Sequence, residues 1–379
     1  MKIVYAGLAL IIIILAAALL PVRPYLDFQV IYHANLGLLR GITLYDHAGQ
    51  VNMIAQLANV PPEQVFVLPF PYPPWYALST LWLSLLPIDL AARAWFAVSL
   101  SMLLASAWLL TDGQSILKRL LLLLGALFWL PALGGLFVGQ YGFPVLLGAA
   151  LMIHALRRES PVLVALAAAL LTFKPHLGGL VIILAVIRLA RGKDRFGRNG
   201  LLALLAAAIV LFAAGFLASP NWPADYLHSL TGFRDVSRCG QCVSLPMAAA
   251  ASAGGGFDQA LWIAVVVAIV LGAWLVRNWR PLAAAPHGLV VAGILVTMLV
   301  SPYLQNYDYL LLLVPFLVLA CSGGGSLHWS LLAIAFASPF AVLALGGSAG
   351  NLVLVFSALL LFMHARYKLF RPPAQRFAA

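Results

Sequence analysis

Residues 3–20 read IVYAGLALIIIILAAALL, and residues 21–32 continue with PVRPYLDFQVIY. The first stretch is almost wholly apolar and has about the length that a membrane-spanning helix requires. The second places an acidic residue, Asp27, just beyond that apolar run. Because the chain has only 11 Asp plus Glu among 379 residues, a carboxylate kept at this boundary is a candidate for chemistry.

Composition decides the fold class. Hydrophobic residues make up 64% of the chain and charged residues 9%, whereas soluble domains carry about 25% charged residues. A chain with so few charges cannot cover a water-facing surface, and long apolar runs in lipid must be helical because their backbone groups need internal partners. We therefore predict an all-α, polytopic membrane helix bundle of about twelve spans, forming one domain over residues 1–379.

The net charge of +11 indicates membrane topology. In a soluble protein it would suggest nucleic acid, but here the basic residues cluster in short loops between apolar segments, as the positive-inside rule describes. The clusters are Arg157-Arg158 and residues 188–198, 277–280 and 366–376. We expect these loops to be cytoplasmic, with membrane lipid and no nucleic acid as partner.

Two long loops, residues 21–73 and 219–258, are predicted on the extracytoplasmic side. In the first, residues 28–39 predict a helix lying in the membrane interface, with its apolar residues on one face and its polar residues off that face. The apolar residues are Ile31, Tyr32, Leu36 and Leu39, and the polar ones are Gln29, His33 and Asn35. When loops are assigned to the inner and outer sides of the membrane from each terminus in turn, the two assignments conflict between residues 74 and 111. This conflict predicts that residues 74–87 form a short re-entrant or interfacial piece.

Two compatible interpretations apply to Asp27. It could cap a helix that starts at Phe28, by accepting a backbone N–H. It could also be a general base at the bilayer surface, where a low dielectric moves the pKa of a carboxyl.

Lys174 lies in a predicted outer loop, where the positive-inside rule does not explain a lysine. A cation at membrane depth needs a partner, and a lipid phosphate suits a lysine; a lysine snorkelling from a helix end is the alternative. Arg234, in the second long loop, is a further candidate cation for a phosphate. His176 has no accompanying ligand pattern, so no metal site is predicted.

Three outer stretches combine aromatic and polar residues: residues 70–75, 139–142 and 301–309. Each could be only a rigid entry, a turn or an aromatic belt. Each could also bind substrate. The candidate substrate-binding residues are Tyr72, Gln140, His176, Tyr303, Asn306 and Asp308.

Cys239-Gly240-Gln241-Cys242 lies in the second long loop. A disulfide bracing this loop is the favoured interpretation outside the cytoplasm, because a zinc site would need two more ligands. A catalytic redox role is the remaining alternative.

Several of these pieces occur in an order that resembles membrane glycosyltransferase family 87, of the GT-C class. Family members include polyprenol-phosphate-mannose-dependent α-mannosyltransferases. The resemblance is spread over roughly residues 1–315, and each of its motifs is short. The pieces are Asp27–Tyr32, Leu38–Asp46, Phe70–Trp75, Gly139-Gln140, Phe173-Lys174-Pro175 and Ser301-Pro302-Tyr303.

The resemblance implies a hexosyltransferase in the plasma membrane of a bacterium, with its active site at the outer face. Such an enzyme moves a sugar, mannose or a related one, from a polyprenyl-phosphate donor to a lipid or glycan acceptor, with inversion. It implies that Asp27 is the catalytic base and that Lys174 contacts the donor phosphate; Arg234 is assigned by its loop position alone. No cofactor besides the donor substrate is expected.

A secondary transporter or flippase is the rival hypothesis. Transporters tend to show inverted repeats and charged residues near the membrane midplane. The two halves of this sequence show no such symmetry, and its polar residues gather at the predicted outer face. A scaffold that only binds lipid-linked sugars stays open as a third possibility.

Overall fold

The computed structural model describes residues 2–192, 194–237, 242–345 and 347–370, with the backbone alone at residues 2–10, 233–237 and 347–351. Within these ranges every regular element is a helix and no strand occurs. This confirms the all-α fold class.

Twenty α-helices and four short 3₁₀ segments make up the described chain. The α-helices are α1 Lys2–Leu19, α2 Leu26–Leu39, α3 His47–Ala58, α4 Pro74–Thr80, α5 Ile88–Leu110, α6 Ile116–Leu127, α7 Leu130–Val138, α8 Gly142–Arg158, α9 Pro161–Leu171, α10 Pro175–Arg191, α11 Arg195–Gly215, α12 Trp222–Ser237, α13 Leu245–Ser252, α14 Phe257–Arg277, α15 Trp279–Ala284, α16 Pro286–Val300, α17 Leu313–Ser322, α18 Ser326–Ala337, α19 Ala341–Leu345 and α20 Gly347–Lys368. The 3₁₀ segments are Pro62–Gln64, Leu81–Leu85, Asn306–Leu312 and Ser338–Phe340.

Four helical stretches among the described residues are long and apolar enough to cross a membrane. They are Ile88–Leu110, Arg195–Gly215, Phe257–Arg277 and Ser326–Leu345. The apolar pair α6 and α7 is bent by 57° and adds a fifth if it forms one broken span. The chain is thus a helical membrane protein, and the count of about twelve spans stays a prediction.

Residues 74–87 form α4 and the 3₁₀ segment Leu81–Leu85. Pro74 occupies the first turn of α4, where its missing N–H costs nothing and its fixed φ starts the helix. Neither piece approaches the roughly 20 residues of a full span. The structure thus has a short element here, and its re-entrant or interfacial position stays a prediction.

The helix predicted over residues 28–39 is present as α2, but it starts at Leu26 and is buried on more than one side. Asn35, expected on the polar face, is fully buried and donates a hydrogen bond to the Thr80 hydroxyl at 3.1 Å. The Tyr32 hydroxyl donates to the Leu86 carbonyl at 2.8 Å. The predicted two-faced pattern is wrong at Asn35 because α4 supplies that amide with a polar partner.

The chain divides into two compact units. The first comprises Met1–Met102, Gly134–Tyr141 and Ala208–Arg238, and the second comprises Leu103–Leu133, Gly142–Ala207 and Cys239–Ala379. In the second unit α16 is the central helix, since its residues from Gly288 to Leu299 are all buried. By contrast α14 exposes large apolar side chains such as Trp262 and Ile269, as a lipid-facing helix does.

Candidate functional site

Asp27 lies in the first turn of α2, in the first unit, and is half-buried. The residue at the N-cap position is Tyr25, so the capping role considered for Asp27 is wrong. The helix begins earlier because Gln29 binds the two carbonyls that precede it. Its backbone N–H donates to the Tyr25 carbonyl at 3.0 Å, and its side-chain amide donates to the Pro24 carbonyl at 2.7 Å. A carboxylate in a first turn interacts favourably with the helix dipole.

The turn between α7 and α8 anchors this end of α2. The hydroxyl of Tyr141, which is fully buried, donates a hydrogen bond to the main-chain carbonyl of Asp27. Burial raises the pKa of Tyr141 well above its usual value, and the charge of Asp27 raises it further. The phenol therefore stays protonated and serves as a donor.

Gly139 lets this turn approach α2 closely. Its φ is +72°, a conformation that other residues rarely adopt, and a Cβ at this position would lie 2.7 Å from the Cβ of Phe28. The indole N–H of Trp95 holds the Gly139 carbonyl at 3.1 Å. The predicted Gly-Gln turn thus contacts the residue that follows Asp27.

Tyr72 and Gln140 join the same cluster. The ring of Tyr72 lies 5.0 Å from that of Tyr141, edge to face. Gln140 is buried, and its side-chain oxygen accepts the backbone N–H of Tyr141 at 3.3 Å. The first unit therefore brings three sequence-predicted residues, Asp27, Tyr72 and Gln140, around Tyr141.

The aromatic cluster continues from Tyr72 to α12. The Tyr45 hydroxyl donates to the Tyr72 carbonyl at 2.9 Å, and the Tyr45 ring lies 5.9 Å from that of Tyr226. Burial raises the pKa of Tyr226 to about 12, so this phenol stays neutral. Aromatic rings combined with neutral hydroxyl groups can both pack against a sugar and hydrogen-bond it.

Lys174 and Asp308 form a buried ion pair in the second unit. The Lys174 ammonium lies 2.8 Å from one oxygen of Asp308, and the two side chains are 3% and 1% exposed. The other oxygen of Asp308 accepts the backbone N–H of Gln305 at 2.9 Å. Pro175 starts α10 directly after Lys174, and a proline at this position disfavours a helical backbone at the lysine before it.

Three further predicted residues lie on the chain segments that form this pair. His176 packs edge to face on Tyr303, with ring centroids 6.0 Å apart. Asn306 is exposed at the start of the 3₁₀ segment that carries Asp308. The Lys174 ammonium also lies 5.1 Å from the ring centre of Tyr307, within the range of a cation–π interaction.

Two sequence-based predictions cannot be placed in this way. Arg234 belongs to α12, and its side chain lies outside the described part of the structure. Cys239, needed for the predicted disulfide, lies outside the described residues. Among the residues that are described, no group of three His, Cys, Asp or Glu side chains could hold a metal ion.

Sequence reasoning missed Tyr141 and the pairing of Lys174 with Asp308. Tyr141 follows the Gly139-Gln140 turn directly, so a tyrosine beside a turn at the predicted outer face was a usable signal. The pairing joins residues 134 positions apart. Its only signal was the cost of leaving a lysine at membrane depth without a carboxylate.

Comparison with known protein families matches residues 70–302 to glycosyltransferase family 87. The matched region includes Tyr72, Gln140 and Lys174, whereas Asp27 precedes it and Asp308 follows it. No curated protein matches the chain. Because the match covers more than half of the chain, this protein belongs to glycosyltransferase family 87.

Proposed function

We propose that this protein transfers a sugar, mannose or a related hexose, from a polyprenyl-phosphate donor to a lipid or glycan acceptor. The reaction takes place with inversion, at the extracytoplasmic face of a bacterial plasma membrane, in a GT-C bundle of about twelve spans. Membership of family 87 supports a glycosyltransferase rather than a transporter. The observation that carries the proposal is the half-buried Asp27 at the start of α2, held there through Tyr141.

Asp27 acts as the general base. It accepts the proton of the acceptor hydroxyl while that oxygen attacks the anomeric carbon of the sugar. The bond between the anomeric carbon and the phosphate oxygen breaks, and the electron pair leaves with the polyprenyl phosphate. Because Asp27 lies before the region that matches the family, its role rests on its position in the fold and on the resemblance of the first loop.

Negative charge grows on the leaving phosphate, and a fixed cation stabilises it. Lys174 and Arg234 are the candidates. The ammonium of Lys174 is held in place by Asp308, which fixes its position but offsets much of its charge.

The remaining candidate residues contact the sugar or the acceptor in this proposal. They are Tyr72, Gln140, His176, Tyr303 and Asn306. Their aromatic faces pack on the sugar ring, and their polar atoms select its hydroxyl pattern. Asp308 contributes by orienting Lys174.

The test is sugar transfer in membranes that contain equal amounts of wild type, Asp27→Asn or Asp89→Asn. Labelled polyprenyl-phosphate-mannose is the first donor, followed by a panel of other polyprenyl-phosphate sugars and one nucleotide sugar. Asp89 is the matched control, because it is an exposed carboxylate in the first turn of α5.

We expect wild type and Asp89→Asn to use at least one polyprenyl-phosphate sugar and Asp27→Asn to lose about 10²–10⁴-fold in rate, the usual worth of a general base. Full activity of Asp27→Asn would exclude the base assignment. Transfer from the nucleotide sugar alone would exclude the lipid-linked donor.

A further inference from the structure

A groove of about 470 Å³ lies where α10 is followed by α11, in the second unit. Its lining includes Leu189 and Leu201 as apolar members and Asp194, Arg195 and Arg198 as charged members. Its volume falls within the roughly 300–1,000 Å³ of small-molecule sites. None of these residues takes part in the reaction proposed above.

The two arginines in the groove face water, and no described carboxylate forms an ion pair with either of them. Asp194 is engaged otherwise: its carboxylate accepts the backbone N–H of Gly197 at 2.7 Å. Two guanidinium groups against one carboxylate leave the groove with net positive charge. A singly charged anion complements it.

Neighbouring arginines differ in this respect. The Arg191 guanidinium lies over the ring of Trp279 at 4.9 Å. Arg188 donates from its Nε to the Ala283 carbonyl at 2.9 Å. These two side chains fasten α10 to α15, so Arg195 and Arg198 are the cations that the groove offers to a ligand.

Arg198, which lines the groove, stands at the start of an exposed apolar stripe of α11. Leu202 lies four residues after Arg198, and Leu205 lies three residues after Leu202. At these helical spacings the three side chains share one face. Both leucines are 58% exposed. A ligand with an anionic head and an apolar tail would place its head at the arginines and its tail along this stripe.

We propose that this groove binds the headgroup of an anionic membrane phospholipid, with the phosphodiester on Arg195 and Arg198 and an acyl chain along Leu202 and Leu205. Arg is suited to this role because its planar fork binds phosphate through two hydrogen bonds. Basic pockets between helices on the cytoplasmic side bind anionic headgroups in this manner, and the positive-inside rule assigns this loop to that side. The proposal is independent of the glycosyl-transfer reaction.

The experiment measures the thermal unfolding of the purified full chain in neutral detergent. Phosphatidylglycerol is titrated against phosphatidylcholine with the same acyl chains, and inorganic phosphate forms a third arm. The groove variant is Arg195→Gln with Arg198→Gln. The control is Arg157→Gln with Arg158→Gln, which removes the same charge from an exposed pair of another predicted cytoplasmic loop.

Phosphatidylglycerol should raise the melting temperature of wild type and of the control pair, and phosphatidylcholine and phosphate should not. The groove pair should bind phosphatidylglycerol about tenfold or more weakly. Equal responses of the groove pair and wild type would overturn the proposal, as would an equal loss in both double variants. Stabilisation by phosphate alone would also overturn it, since the site would then bind free anions. If the groove pair does not fold, Arg198→Gln alone should show a partial loss, and an unchanged affinity would count against the site.

Discussion

Asp27 and Asp308 are two carboxylates with opposite settings. Asp27 is half-buried at the start of α2, and the contact that anchors it runs through its main-chain carbonyl to Tyr141. The Asp308 side chain is 1% exposed, with one oxygen on Lys174 and the other on the backbone N–H of Gln305. Tyr141 holds the backbone of Asp27, whereas Lys174 and Gln305 hold the side chain of Asp308.

This difference suits the proposed role of Asp27 as a base and a structural role for Asp308. A carboxylate that must accept a proton from a substrate needs an approach for that substrate, and Asp27 keeps one through its exposed surface. Asp308 could accept a proton only by weakening its pair with Lys174, which would leave a buried ammonium uncompensated. We therefore expect substitutions at the two positions to affect different quantities.

The largest effect should be a crossed pattern of two amide substitutions. Asp27→Asn should lower the transfer rate about 10²–10⁴-fold and leave the protein folded, because the amide has nearly the shape of the carboxylate and the position is half-buried. Asp308→Asn should destabilise the fold by about 3–5 kcal/mol, because it leaves Lys174 buried without its counter-charge. Transfer assays and unfolding in detergent measure both. A strongly destabilised Asp27→Asn would remove the distinction between the two carboxylates.

The next prediction separates the structural part of Lys174 from its proposed phosphate contact. Lys174→Met and Asp308→Leu should each cost about 3–5 kcal/mol, and the double variant should recover most of this loss because it contains no buried charge. If Lys174 also contacts the donor phosphate, the double variant should still have a raised KM for the donor although its stability is recovered. A double variant with wild-type KM would leave Lys174 with a purely structural role.

Gly139→Ala tests whether the turn positions α2. We expect a loss of about 1–3 kcal/mol, because the residue has positive φ and its Cβ would press on Phe28. The transfer rate should fall as well, since the pressed residue adjoins Asp27. Gly41→Ala is the matched control: Gly41 has a φ of +79° and nothing within 4 Å of the added Cβ. If both variants lose rate equally, backbone strain and not the contact with Phe28 is responsible.

The sequence indicated Asp27 as a candidate and predicted one short element, and both inferences used local signals. Asp27 was identified because it stands beside an apolar run in a chain with few carboxylates. The short piece at residues 74–87 followed from its prolines and from a topology conflict. Both signals depend on neighbours in the chain, which periodicity and charge rules describe well.

The remainder depends on contacts between distant residues. Asn35 was expected to be outside the core, yet it is buried because Thr80, 45 positions away, receives its amide. The pairing of Lys174 with Asp308 spans 134 positions. No local pattern encodes such a partner, so the sequence could indicate the candidate residues but not which of them satisfy one another.

An effect that is confined to acid pH concerns the helix that carries Asp27. Burial lowers the pKa of His33 in α2 to about 4, against about 6.5 for an unfolded chain. The folded protein therefore favours the neutral ring. The contribution of His33 to the free energy of unfolding is fully present above pH 6.5. It falls by up to about 1.4 kcal/mol per pH unit between pH 6.5 and pH 4. His33→Gln should flatten this fall, which unfolding in detergent at several pH values measures. His228→Gln, at an exposed position, is the control and should leave the slope as in wild type. Identical slopes of the free energy of unfolding against pH in all three proteins would show that His33 is not protonated on unfolding.

The smallest expected effect is that of Tyr141→Phe, which removes one hydroxyl from the anchor of Asp27. The lost hydrogen bond should cost about 0.5–1.5 kcal/mol of stability. If the anchor positions the base, kcat should fall while the KM for the donor stays constant, because the proton transfer depends on the placement of Asp27 and donor binding does not.

Tyr32→Phe is the control, since Tyr32 belongs to the same helix and donates a comparable hydrogen bond to a main-chain carbonyl, that of Leu86. It should lose similar stability and keep its kcat. An equal loss of kcat in the two variants would mean that α2 responds to any weakening of its packing, and Tyr141 would then have no special relation to Asp27.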